Sequence, residues 1–194
     1  MRFSTETDRV EAFTDRVLAV ILAIMVFELP APQGTEPRAL LPTLPAIATF
    51  ALSFILIGIY WNNYHHMLRA SRGVDGRARW ANLHLLFWLS LVPFATAWLG
   101  QNPMAVAPTV VYTLILLFCA VAYAILRQSL LRVNSIDAPF ASAVEIDIQG
   151  LPIVLYVVAM CTAFISPIVA DVFLIAAAGL LLFSRSARRA TDQT

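Results

Sequence analysis

Two short polar segments beside apolar runs contain side chains that could bind ions or join helices. The first is residues 9–16, in which Glu11 and Asp15 are four residues apart. On an α-helix this spacing places two carboxylates on one face, one turn apart. The second is residues 60–66, at the end of a long apolar run. Ionisable groups next to apolar runs are functional candidates, because each is costly in a membrane unless it is paired or hydrated.

The three histidines are the candidates for metal or cofactor ligands. His65 and His66 end the second polar segment, and His84 follows Trp80 and Asn82 near the start of the next apolar run. Adjacent histidines point about 100° apart on a helix, whereas two ligands on one face need i, i+4 spacing. Interfacial aromatic residues and interhelical hydrogen bonds explain the same residues without a ligand. We therefore predict no metal site and no cofactor.

Enzyme motifs are absent from the sequence. It contains no nucleophile elbow, no phosphate-binding loop and no His-Glu-x-x-His motif. Its net charge of +1 gives no basic face for nucleic acid. We therefore predict that the protein is not an enzyme and that nucleic acid is not a partner.

Composition predicts an all-α membrane protein. Of 194 residues, 60% are hydrophobic and 13% are charged, whereas soluble domains carry nearer a quarter charged residues. The apolar residues come in long runs, which indicates lipid as the solvent. They predict a bundle of six transmembrane helices in one domain, 1–194, with spans at about 13–30, 44–66, 80–99, 106–126, 151–166 and 169–183.

The arginines predict the orientation of this bundle. The chain has no lysine, and twelve of its thirteen arginines flank spans on one side, with only Arg38 on the other. By the positive-inside rule both termini are cytoplasmic. The absence of lysine, with abundant arginine and alanine, also fits a GC-rich bacterial genome. We therefore expect a multi-pass protein of a bacterial cell membrane.

The first polar segment is also the point of resemblance to a known family. The pattern Arg9-x-x-x-Phe13-Thr14-Asp15 resembles the Arg-x-x-x-Phe-Ser-Asp signature of the first helix in the transmembrane protein 175 family, with Thr14 in place of serine. Residues 60–66 resemble the second helix of the bacterial branch. The resemblance implies a potassium-permeable channel, a homotetramer in which helix one of each subunit lines a central pore. Such a channel would carry K⁺ passively, with other monovalent cations as further permeant ions, and would need no cofactor.

The family pore face, carried over to this chain, passes through Val20, Ile24 and Phe27. Their i, i+4, i+7 spacing places them on one stripe of a helix. Four copies around an axis would form apolar rings that gate by dewetting. Family members often carry a hydroxyl residue near the constriction, but this chain has Ala23 there, with Ala19 as the neighbouring alternative. The preference for potassium over sodium is therefore an open question.

Acidic residues stand at both ends of the predicted pore helix. Glu28 lies at the outer end, and Glu11 and Asp15 at the inner end. Fourfold repetition would make each an acidic ring that concentrates cations.

The resemblance further implies a structural role for the signature. We expect Arg9 and Asp15 to tie helix one to the second polar segment. The residues of this predicted network are Arg9, Phe13, Thr14, Asp15, Trp61, His65 and His66.

Two other functions remain alternatives. The first is a non-conducting membrane subunit that binds a partner, with the signature serving only helix packing. The second, less favoured, is a membrane metal or cofactor protein that uses the histidines.

Overall fold

The computed structural model describes residues 2–71, 73–133 and 150–191, and it describes side chains within 6–71, 73–133 and 152–179. The sequence also predicts a polar connection over 127–149, between the fourth and fifth spans; its residues 134–149 lie outside the described residues, as does Arg72, whereas 127–133 are helical. The side chains of the three arginines after the last predicted span also lie outside the described residues.

The described residues form seven α-helices and one short 3-10 helix, without a β-strand among them. The 3-10 helix, Pro37–Thr43, precedes α2. The α-helices are α1 (Arg2–Phe27), α2 (Leu44–Ala70), α3 (Gly76–Ser90), α4 (Val92–Gln101), α5 (Val106–Val133), α6 (Gly150–Ala163) and α7 (Pro167–Thr191). The all-helical prediction is confirmed for this part of the chain.

The third predicted span consists of two helices, α3 and α4, that meet at Leu91. Pro93 lies two residues after Leu91, and a proline has no backbone N–H to continue the helical hydrogen bonds. The carbonyl of Leu91 nevertheless accepts from Ala95 at 3.2 Å, so α4 restarts at once. Counting α3 and α4 as one segment, the described α-helices number six, as the sequence predicts.

Several helices extend beyond the apolar runs that predicted them. α1 begins eleven residues before the predicted start at 13, and α2 and α5 continue to Ala70 and Val133. Hydropathy marks the part of a helix that suits lipid, and the backbone hydrogen bonds continue into the polar flanks. Asp75 caps α3 by accepting a 2.8 Å hydrogen bond from the backbone N–H of Ala78.

Within the described ranges, three segments are long and apolar enough to cross a bilayer on their own: Pro37–Ala70, Gly76–Gln101 and Val106–Val133. Two shorter apolar helices, Pro152–Ala163 and Pro167–Gly179, follow them. α1 is long, but every 18-residue stretch of it contains Glu11, Asp15 and Arg16. α1 therefore suits a membrane only where other helices satisfy its charged groups.

The core of the bundle lies around α5. This helix packs against α3, α4, α6 and α7, whereas α1 lies at the periphery against α2, α3 and α4. A buried polar cluster joins the central helices. The Ser53 hydroxyl lies 2.7 Å from Thr96 Oγ1 and 2.8 Å from the hydroxyl of Tyr112, so it bridges α2, α4 and α5.

α2 and α4 approach closely at Gly100. A Cβ atom added there would lie 2.7 Å from Ala46 Cα and 3.1 Å from Ala46 Cβ. The first atom is backbone, so the contact could be relieved only by moving a helix. Small residues that let backbones approach are typical of packed membrane helices.

We expect Gly100→Ala to destabilise the fold by about 1–3 kcal/mol, because overpacking forces backbone shifts of this cost. The measurement is the free energy of unfolding of purified protein in mild detergent. Gly58→Ala on α2 is the matched control, since a Cβ there meets nothing within 4 Å. Equal stability of the two variants would contradict the close contact.

Candidate pore helix and its anchoring network

α1 has one buried face and one exposed face. Thr14, Leu18, Ile21 and Met25 are 1–4% exposed and pack into the bundle. On the opposite side, the exposed fractions of Val20, Ile24 and Phe27 are 57%, 44% and 86%. This division follows the helical period and leaves α1 with an apolar face that none of the described helices covers.

The exposed face is continuous and lacks polar groups along its middle. Ala19 and Ala23 are exposed on the same side as Val20. The nearest hydroxyl side chains in the sequence are Thr14 and Thr35. Glu28 is exposed just beyond the end of α1. The face is therefore apolar over about two turns, with a carboxylate at its end.

Two pairs of side chains join α1 to the second half of α2. His65 Nδ1 lies 2.5 Å from Glu11 Oε1, and the indole N–H of Trp61 donates to Asp15 Oδ1 at 2.9 Å. The two pairs are four residues apart on each helix, and the residue number rises along α1 while it falls along α2. The two helices therefore run antiparallel, with one face of each in contact. The Trp61 and His65 rings also stack, with centroids 5.6 Å apart. The two acids thus face α2 rather than the exposed side of α1.

A second set of contacts, fully buried, centres on Thr14. Its hydroxyl lies 2.9 Å from the hydroxyl of Tyr64 on α2, and it accepts a 3.0 Å hydrogen bond from the Asn82 side-chain amide on α3. Thr14 and Asn82 are 1% and 2% exposed. We call Thr14, Tyr64 and Asn82 the hydroxyl cluster. It joins three helices at one point.

Arg9 and Phe13 lie apart from these contacts. Both are exposed, and they line an open pocket of about 370 Å³ between α1 and α3. Within the described part of the chain, Arg9 has no hydrogen bond or ion pair. Arg79 on the far wall instead pairs with Glu6 at 3.4 Å. The structure thus brings Asp15 and Thr14 into contact with α2 but leaves the signature arginine outside.

The three histidines have different surroundings. His65 contacts Glu11, His66 is exposed, and His84 Nε2 accepts from the Trp88 indole at 2.9 Å. Among the described residues no three His, Cys, Asp or Glu side chains lie close enough to hold a metal ion.

Sequence analysis did not identify Tyr64 and Asn82 as partners of Thr14. A signal was present, because both residues lie in polar stretches that end or begin apolar runs. Which hydroxyl or amide meets which depends on the rotation of each helix about its axis. No spacing in the sequence gives that rotation.

Comparison with known proteins gives consistent matches. Residues 9–93 match the family described as "Endosomal/lysosomal potassium channel TMEM175". A potassium channel of Chryseobacterium sp. is 42% identical over 84% of this chain and 85% of its own. A potassium channel of Streptomyces collinus is 30% identical over 73% of this chain and 75% of its own.

The fold also matches a solved structure. The crystal structure of a lysosomal potassium-selective channel TMEM175 homolog from Chamaesiphon minutus superposes with a TM-score of 0.74 at 29% identity. The match covers 93% of this chain and 98% of the other.

Proposed function

This chain belongs to the TMEM175 potassium channel family, and on that basis we propose that it conducts potassium passively through a homotetramer in which α1 lines a central pore. It is a multi-pass membrane protein, and we place it in a bacterial cell membrane with both termini in the cytoplasm. The relatives it matches are named potassium channels.

The observation that carries the pore proposal is the uncovered apolar face of α1. Within one subunit, none of the described helices covers Val20, Ile24 and Phe27, and all three side chains are exposed. A second copy of the chain would bury this face, and four copies about an axis would close it into rings. Rings of valine and isoleucine form a constriction that water wets reluctantly.

The charges at the ends of α1 support cation passage. Glu28 is exposed beyond the outer end of the helix, where four copies would form an acidic ring. The ring would raise the local concentration of cations over anions. At the inner end, Glu11 and Asp15 are already in contact with α2, so we assign them mainly to anchoring.

The test is ion flux into proteoliposomes that contain the purified protein. We expect potassium flux well above that of protein-free vesicles, with sodium measured in parallel. Equal fluxes of the two ions would support a channel that does not select potassium over sodium, and we would attribute this to Ala23. The matched control is the same protein with Ala23→Thr, which restores a hydroxyl at that position and should favour potassium.

Two results would contradict the proposal. The first is absence of flux from folded protein that cross-linking shows to be a tetramer, when Val20→Asn fails to restore it. The second is a monomer in mild detergent and in the bilayer, which would favour the partner-binding subunit.

A further inference from the structure

A second candidate site lies at the opposite end of the bundle from the Glu11–His65 contact. It is a pocket of about 210 Å³ where α2, α4 and α7 meet, and the segment after α4 closes it at Pro103. Along α2, Ala48 on the pocket wall is about 25 Å from His65, at 1.5 Å per residue. The pocket is therefore separate from the anchoring network and from the exposed face of α1.

The pocket contains one charged side chain, Asp171 of α7. Asp171 is partly buried and makes no hydrogen bond or ion pair with any residue that the structure describes. Thr49 is the other polar side chain among the described residues of the wall. Its hydroxyl donates to the Pro45 carbonyl at 2.9 Å, so the hydroxyl oxygen can act only as an acceptor for a ligand. The site thus offers two acceptors and no donor.

The rest of the wall is apolar: Pro45, Ala48, Leu52, Leu99, Pro103, Leu174 and Ile175. A carboxylate in such surroundings is costly unless a cation or donor accompanies it. The volume is about seven times the ~30 Å³ that a water molecule occupies in the liquid, which is larger than one bare ion requires. It is also smaller than pockets for drug-sized ligands, which begin at about 300 Å³.

From these features we propose that the pocket binds a primary ammonium group that carries a short apolar chain. The N–H donors meet Asp171 and the Thr49 oxygen, and the chain lies against Leu52, Leu99 and Leu174. A quaternary ammonium fits less well because it has no N–H to donate. The ammonium can come from an ethanolamine phospholipid headgroup or from a soluble amine. This site is independent of the pore proposal.

The experiment uses full-length protein in mild detergent with n-butylammonium as the probe. The thermal unfolding midpoint is measured as a function of n-butylammonium concentration, which gives the apparent dissociation constant. Tetramethylammonium and sodium are the comparison cations, at equal ionic strength. We expect n-butylammonium to raise the midpoint, and tetramethylammonium to bind at least tenfold more weakly. Asp171→Asn should weaken n-butylammonium binding at least tenfold. Glu36→Gln, which removes an exposed acid in the loop before α2, is the matched control and should leave it unchanged.

Chemical modification of the wild-type protein distinguishes binding at Asp171 from binding elsewhere, for example in a pore. A water-soluble stabilised diazo compound esterifies accessible carboxyl groups without reacting with the amine probe, and mass spectrometry reports the peptide that contains Asp171. n-Butylammonium should protect Asp171 and leave Glu36 unprotected. This readout needs no variant, so it remains decisive if Asp171→Asn does not fold. Equal modification with and without the probe, or unchanged affinity in Asp171→Asn, would overturn the proposal.

Nanodiscs distinguish the two sources of the ammonium. Weaker n-butylammonium binding in phosphatidylethanolamine than in phosphatidylcholine would identify the lipid headgroup as the occupant through competition. Equal binding in the two lipids would identify a soluble amine.

Discussion

Replacing Val20 with asparagine is expected to raise potassium flux through reconstituted protein about tenfold, which corresponds to ~1.4 kcal/mol off the barrier to conduction. Val20 is 57% exposed on the face of α1 that no helix covers. In a tetramer four valines would make a dry constriction, and four amides would hold water there. The measurement is the initial rate of potassium uptake at equal protein density.

The control is on the same helix. Val26 is 53% exposed but lies about 120° around α1 from Val20. Val26→Asn therefore adds the same polar group without adding it to the proposed pore face, and it should leave the rate within about twofold of wild type. Equal rates in Val20→Asn and wild type, or an equal increase in Val26→Asn, would reject this face as the pore lining.

Thr14→Val is expected to destabilise the folded protein by about 3 kcal/mol. The substitution keeps the shape of the side chain but removes the hydroxyl that contacts Tyr64 and accepts from Asn82. Both partners are buried and each loses this hydrogen bond, while Tyr64 keeps a 3.5 Å bond to the Val10 carbonyl. A buried polar group left without its partner costs about 1–3 kcal/mol. The measurement is the free energy of unfolding in a detergent titration, with helical content followed by circular dichroism.

Two further variants test the origin of this loss. Thr14→Ser keeps the hydroxyl and should lose less than about 1 kcal/mol. Adding Tyr64→Phe to Thr14→Val removes the other hydroxyl of the same contact. The double variant should therefore lose less free energy of unfolding than the sum of the two single losses. Strict additivity would contradict a direct contact between the two hydroxyls.

The all-helical fold of this protein could be predicted from sequence because its apolar residues occur in long runs. The limits of the helices could not, because α1 and α2 remain helical in polar flanks where hydropathy falls. The break between α3 and α4 had a visible cause in Pro93, but prolines are tolerated inside membrane helices when neighbours satisfy the backbone. Only the packing around Leu91 decides between a kink and a break.

The proposed pore face was harder to predict than the helix that carries it. α1 is apolar on both sides between residues 17 and 27, so its period alone does not say whether Ile21 or Val20 faces the bundle. The resemblance to a family supplied that choice. The contact of Asp15 with Trp61 also followed from the resemblance, whereas the Glu11–His65 contact and the hydroxyl cluster required the structure.

The matched spacing of the pairs between α1 and α2 has a consequence for how these helices are aligned. A slide of α1 by one helical turn, about 5.4 Å, would set Asp15 opposite His65 and Glu11 opposite Arg69. Both acids would again lie opposite side chains that can donate a hydrogen bond, so these two pairs alone allow more than one register. Thr14 would then leave Tyr64 and lie opposite Leu68. The hydroxyl cluster is therefore the feature that selects a single register, in the way that one buried polar residue fixes the alignment of a coiled coil.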